Sequence, residues 1–177
     1  PAGPCPAWFF PAESSTWVIQ VHGRGVTRAE CLRAVPVFHA LGLPNLVVSY
    51  RNDGEAPRSR GGSYALGASE WRDVDAAIAY ALRHGAVRVL LMGWSMGGAI
   101  ALQTKQRVAG VIENMSWLEM PDGTRQELFG DLAFQVGVQR LQAACVLARG
   151  QLGRVHELHR EPQLRQPRAH VRLRDDL

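Results

Sequence analysis

The chain has 177 residues, 46% of them hydrophobic and 20% charged, with a formal net charge of +4. Chains of about 150 residues form one domain and bury roughly 70% of their unfolded surface, so a single core with a short appendage is expected. No run approaches the roughly 18 apolar residues of a membrane helix. Three scattered cysteines, Cys5, Cys31 and Cys145, with no Cys-x-x-Cys pair, argue against a disulfide framework or a cysteine-built zinc site.

That cysteine usage fits a reducing, cytoplasmic compartment. Lys105 is the only lysine, and residues 151–177 hold six basic and four acidic side chains, half of the net excess. An Arg-rich terminus of this kind suits a solvated tail. It lacks the interleaved aromatics of single-strand binders, so neither a nucleic-acid nor a membrane partner is expected. The chain begins at Pro1 and its first methionine is Met92, which points to a removed initiator or to a fragment. Trp8-Phe9-Phe10 is too short for a signal-peptide core and has no basic lead-in.

Strand and helix signals alternate through residues 1–104. Residues 17–22, Trp-Val-Ile-Gln-Val-His, read as a buried strand ended by Gly23 and Gly25. Thr27 and Glu30 form a T-x-x-E capping box that opens a helix to about Leu41, with Pro36 placed to kink or divide it. Residues 46–50 are a second strand, and the Gly-, Ser- and Pro-rich residues 51–67 are a loop. Val74, Ala77, Ile78, Ala81 and Leu82 recur at helical steps, so residues 68–84 are a helix, with Gly85 at its C′ position. Residues 87–92 are a third strand that turns at Gly93 into a helix near Met96, and residues 108–112 are a fourth. Residues 129–149 fit one helix, followed by the tail. Alternating elements imply right-handed βαβ units and a mostly parallel sheet, with the binding crevice at the carboxyl ends of the strands.

Two motifs lie at those ends. Gly93-Trp94-Ser95-Met96-Gly97-Gly98 joins a strand to a helix, the context of a nucleophile elbow. The turn is so tight that its neighbours must be small, which Gly93 and Gly97 satisfy, while Gly98 lets the helix pack closely on the sheet. Ser95 is the candidate nucleophile, and the Met96 N–H is an oxyanion donor. His22-Gly23-Arg24-Gly25 is placed to supply the second donor, the Arg24 N–H, with His22 bracing the loop rather than serving as base. The Arg24 side chain either pairs with a substrate carboxylate or stands in solvent.

These motifs, with Tyr50-Arg51-Asn52, resemble the α/β-hydrolase family over about residues 17–104, closest to its peptidase- or esterase-like branch. The resemblance implies a doubly wound, mostly parallel α/β sheet, a small ester or amide substrate, acyl transfer to water through an acyl-enzyme, and no cofactor. It also implies an acid and then a histidine base after Ser95. Glu113 is the possible acid. His156, His159 and His170 follow no convincing strand and read as surface histidines.

Only 82 residues follow Ser95, and a complete sheet of this kind takes roughly 200–250 residues. Residues 105–130, with the run Glu113-Asn114-Met115-Ser116, are similar to the Mrp-type P-loop ATPases that carry iron–sulfur clusters; Asn114 there lies near the nucleotide base. No GxxxxGK[ST] phosphate loop and no Cys-x-x-Cys ligand pair accompanies it. The expected organisation is a hydrolase core over 1–104, an ATPase-like segment over 105–130, and a helix with an Arg-rich tail over 131–177. That describes a chimeric or truncated chain, incomplete as a hydrolase and weakly active. The alternatives are a non-catalytic module binding a small anion through Arg24, Arg51 and the loop to Gly67, or a nucleotide-binding remnant. Oligomeric state and substrate identity are left open.

Overall fold

The computed structural model describes residues 3–112, 117–127, 144–149 and 169–173. Its strands are β1 (Cys5–Phe10), β2 (Thr16–Val21), β3 (Asn45–Val48), β4 (Arg88–Trp94), β5 (Arg107–Ile112), β6 (Trp117–Glu119), β7 (Arg125–Glu127), β8 (Ala144–Arg149) and β9 (Ala169–Leu173). Seven of them form one sheet in the order β5-β8-β4-β2-β3-β1-β9, while β6 and β7 pair as a separate hairpin. The hairpin turns through Gly123, whose φ of 81° needs a residue without a side chain.

The sheet is mixed. β2 pairs in parallel with both β3 and β4, so the expected parallel pairing holds at its centre. The outer pairings, β1 with β3 and β9, and β8 with β4 and β5, are antiparallel.

Alternation along the central strands sorts side chains to two faces. Trp17, Ile19 and Val21 of β2 join Leu46, Val48, Val89 and Leu91 in the main core. Helices α2 (Trp71–Arg83) and α3 (Met96–Gln103) close that core with Val74, Ala77, Ile78, Ala81, Ile100 and Ala101. Val18 and Leu90 point the other way, against Phe38 and Leu43, and Val47 meets Cys31 and Val35. A 3-10 helix (Arg28–Arg33) and α1 (Val35–Ala40) therefore cover the second face, making the sheet doubly wound. Each fully buried large apolar side chain contributes about 1.5–3 kcal/mol.

Several boundaries differ from expectation for local reasons. The helix expected after Thr27 is divided at Ala34, because Pro36 stands in the first turn of α1. Thr27 does cap the first piece, through Ala29 N–H, but Glu30 turns away to the N–H of Gly23 at 2.9 Å. Helix α2 starts at Trp71 instead of residue 68. The Glu70 carboxylate accepts the N–H groups of Ala65, Gly67 and Ser69, at 2.7, 3.0 and 3.3 Å, and so holds that turn outside the helix. At the other end Gly85, with φ 100°, stands at C′ as expected, and the Ala86 N–H reaches Ala81 O at 2.9 Å.

Five strands were not expected, the paired β6 and β7 among them. β1 carries Pro6, which masks its strand signal. The helix expected over 129–149 is corrected at its end, where Ala144–Arg149 is strand β8. Its Cys145-Val146-Leu147 run is short, continuous and apolar, a pattern shared by buried strands and helices. Ala169–Leu173, assigned to the tail, is strand β9, and its apolar Ala169, Val171 and Leu173 alternate with His170 and Arg172 as in a half-buried strand.

One buried ion pair ties this frame together. Arg51, just beyond β3, donates Nε and Nη2 to Asp73 of α2 at 2.8 and 2.6 Å, and its backbone N–H reaches the same carboxylate at 2.8 Å. Truncating one partner of a buried pair strands the other charge. Asp73→Ala is expected to cost about 3 kcal/mol or more, measured as a lowered urea midpoint. A cost under about 1 kcal/mol would show that the pair does not anchor α2.

Candidate active site

At the carboxyl end of β4 the chain reverses into α3 through a single residue, Ser95, at φ 51° and ψ −117°. A side chain in that region is strained by about 1–3 kcal/mol and persists only where its surroundings impose it. The imposing surroundings are backbone. A Cβ on Gly97 would collide with the carbonyl oxygen of Val21, and one on Gly93 would collide with the Gly97 backbone. Gly98 is buried in the first turn, with its N–H on Ser95 O at 2.9 Å. Met96 opens α3, so its N–H has no partner within the helix.

The loop after β2 lies against this turn. A Cβ on Gly23 would sit 3.4 Å from Ser95 Cβ and from Trp94 O, so the loop and the elbow are in van der Waals contact. Gly25 has φ 78°, a left-handed conformation that favours glycine. Arg24, between them, is exposed.

His22 is wholly buried. Its Nε2 lies 2.8 Å from Asp53 Oδ2, and its Nδ1 lies 2.8 Å from Gly23 O. Its ring stacks on Tyr50 with centroids 4.4 Å apart. Both nitrogens face oxygen acceptors within the protein, which leaves neither for Ser95. The Tyr50 hydroxyl donates toward the carbonyl oxygens of Gly23 and His22 at 3.0 and 3.2 Å. Asp53 also accepts the Tyr50 N–H at 2.9 Å and the Tyr64 hydroxyl at 3.1 Å. Burial, then the Asp53 charge, push both phenols upward, so they remain donors.

This network sets the direction of one further group. The Gly23 carbonyl points inward, onto His22 and Tyr50. No peptide in the described chain is cis, and in a trans peptide the N–H points opposite to the carbonyl. The Arg24 N–H is therefore turned out of the core.

Glu113, Asn114, His156 and His159 lie outside the described residues. His170 is on β9, four strands from β4, or about 19 Å at the usual strand spacing. His39 and His84 close helices that lead into the amino ends of β3 and β4, the end of the sheet opposite Ser95. His22 is thus the only histidine at this end among the described residues. Arg51 corrects the anion-binding alternative, since its guanidinium is buried and spent on Asp73. Among the described residues no group of three or more His, Cys, Asp or Glu is arranged to hold a metal ion. No helix there is long and apolar enough to cross a membrane. Asp53 and Tyr64 were not singled out from the sequence, because the loop of residues 51–67 offers polar groups without periodicity. The one available signal is that Asp53 follows the carboxyl end of a strand.

Comparison with known proteins identifies the family. The sequence model of the alpha/beta hydrolase family matches residues 18–176. A solved structure, Est1E from Butyrivibrio proteoclasticus with ferulic acid bound, is similar at 15% identity and a TM-score of 0.45, over 68% of this chain and 62% of that one. A stretch of 47 residues, 27% of this chain, is 55% identical to the iron–sulfur cluster carrier protein of Mycobacterium leprae. It is 51% identical to the corresponding protein of Mycobacterium tuberculosis. The match spans only 12% of either carrier protein, in line with the resemblance of residues 105–130.

Close backbone contact at the elbow predicts a steep position dependence. Gly97→Ala is expected to lower stability by about 3 kcal/mol or more, or to abolish folding. Gly61→Ala, where an added Cβ meets nothing within 4 Å, is expected to shift it by less than about 0.5 kcal/mol. Thermal unfolding of both variants checks this, and equal effects would contradict it.

Proposed function

The chain belongs to the alpha/beta hydrolase family, and on that premise we propose that it is a serine hydrolase of small ester or amide substrates, with Ser95 as nucleophile. The observation that carries this reading is the conformation of Ser95, at φ 51° in a turn so tight that neither Gly93 nor Gly97 has room for a Cβ.

In the proposed reaction Ser95 Oγ attacks the substrate carbonyl carbon. The oxygen that becomes negative is taken by the N–H groups of Met96 and Arg24, which approach from the elbow and from the loop. Donors already aimed at the developing charge need no reorganisation during the step, which is why such groups count for about 10²–10³ in rate. Collapse of the tetrahedral species breaks the ester or amide bond and leaves an acyl group on Ser95, while the departing oxygen or nitrogen takes up, through water, the proton that Ser95 gave up and leaves as the alcohol or amine. Water then hydrolyses the acyl-enzyme.

The serine must also lose its proton, and His22 is not the acceptor, because both its nitrogens are engaged. Its role in this reading is to hold the Gly23 carbonyl inward so that the Arg24 N–H faces outward. Among the described residues no other histidine stands at this end of the sheet, and a serine enzyme that lacks a base loses orders of magnitude in rate, so turnover is expected to be slow, while stoichiometric acylation is the sensitive measure. Incubation with a fluorophosphonate probe is expected to label the wild-type chain and not Ser95→Ala. An unlabelled wild type that is folded by circular dichroism would contradict an activated serine. His22→Ala is expected to slow labelling by about tenfold or more while Ser95 stays in place.

A further inference from the structure

We infer that Glu30 is a positioning residue that holds the oxyanion loop in register with the nucleophile elbow; this rests on the reading of Ser95 as nucleophile. Glu30 stands three residues after Thr27, where its carboxylate would ordinarily return to the capping residue. It does not. One oxygen accepts the Gly23 N–H at 2.9 Å, and the other accepts Nη2 of Arg33 at 2.7 Å. The Arg33 guanidinium in turn lies over the indole of Trp94, 5.2 Å from the ring centroid. Trp94 is the residue immediately before Ser95. The loop and the elbow, which come from different strands, are thereby joined through one carboxylate and one guanidinium. They converge at Gly23, where an added Cβ would lie 3.4 Å from Glu30 Oε2, Ser95 Cβ and Trp94 O alike.

The arrangement fixes both peptide planes around Gly23. Its carbonyl is held from inside by His22 and Tyr50, and its N–H is held from outside by Glu30. With both ends held, the next N–H, that of Arg24, has one direction available. The carboxylate also carries a cost, since a negative charge beside a developing oxyanion opposes it. Arg33 offsets that charge. Two separable effects follow. The acceptor for Gly23 N–H favours the reaction, and the charge on that acceptor does not.

Substitution separates them. Glu30→Ala removes the acceptor, and Glu30→Gln keeps an oxygen acceptor while removing the charge. Second-order labelling rates with a fluorophosphonate, and kcat and KM for p-nitrophenyl acetate, are to be measured on the full chain, together with Tm. Glu30→Ala is expected to lower the labelling rate and kcat by about tenfold or more with little change in KM. Glu30→Gln is expected to stay within about threefold of wild type or above it. Arg33→Ala, which leaves the Gly23 bond in place but frees the charge, is expected to be slower by about threefold to tenfold. If Glu30→Ala does not fold, the Gln and Arg33 variants decide. Wild-type labelling with equal rates in Glu30→Ala, or Glu30→Gln falling as far as Glu30→Ala, or Arg33→Ala at the wild-type rate, overturns the role of Glu30 alone. A wild type that is not labelled overturns the Ser95 reading, and this inference with it.

Discussion

Helix α3 crosses the carboxyl end of β2 so closely that only a hydrogen fits at Gly97, and the rest of the site depends on that contact. Parallel neighbours β2 and β4 end side by side. The chain leaving β4 must turn back over Val21 and His22 at once, with no residue to spare for a wider loop. The turn therefore falls on Ser95, in a conformation that most side chains avoid. Burial offsets the strain, because Met96, Ala99, Ile100 and Ala101 lie against the sheet directly after it. The same crossing brings the loop after β2 into contact with the elbow.

A second layer of control is polar and buried. His22, Asp53 and Tyr50 are all at or below 6% exposure, and polar groups so placed are costly unless each finds a partner. Here the partners are one another, the Gly23 carbonyl, and the Tyr50 N–H. The result is a network that joins the ends of β2 and β3 and leaves little freedom in the peptide of Gly23. Glu30 and Arg33 complete the enclosure from the other face of the sheet. The protein thus positions a backbone N–H, which has no side-chain chemistry of its own, by satisfying the groups around it.

Residues 16–21, 45–48, 88–94 and 107–112 form strands where apolar β-branched runs predict them. Gly93, Gly97 and Gly98 are spaced as a strand-to-helix turn demands. Such features are local, set by neighbours within a few positions. The strand over Ala144–Arg149 was not visible in the same way, because a short apolar run is common to strands and helices, and it is strand here through its pairing with β4 on one side and β5 on the other. Strand Cys5–Phe10 was hidden by Pro6, tolerable there because Pro6 stands at the start of the strand, ahead of the β3 register that begins at Ala7, and its carbonyl oxygen still accepts the Ser49 N–H at 3.0 Å. Arg51 looked like an anion ligand because a sequence cannot show that Asp73, on a later helix, is already in reach. Glu30 looked like a capping residue for the same reason, since Gly23 precedes it by seven positions and no pattern marks the bond.

By itself the sequence determined the central strands and helices, their order along the chain, and the place of the elbow, because propensity, glycine spacing and turn sterics act over short stretches of chain. Only the tertiary structure decided what the charged and polar side chains do. It turned His22 inward onto Asp53, spent Arg51 on Asp73, and drew Glu30 from its own helix to the loop beside Ser95. These choices depend on which strand ends lie side by side, and a hydrogen bond between residues far apart in sequence exists only after the sheet has brought them together.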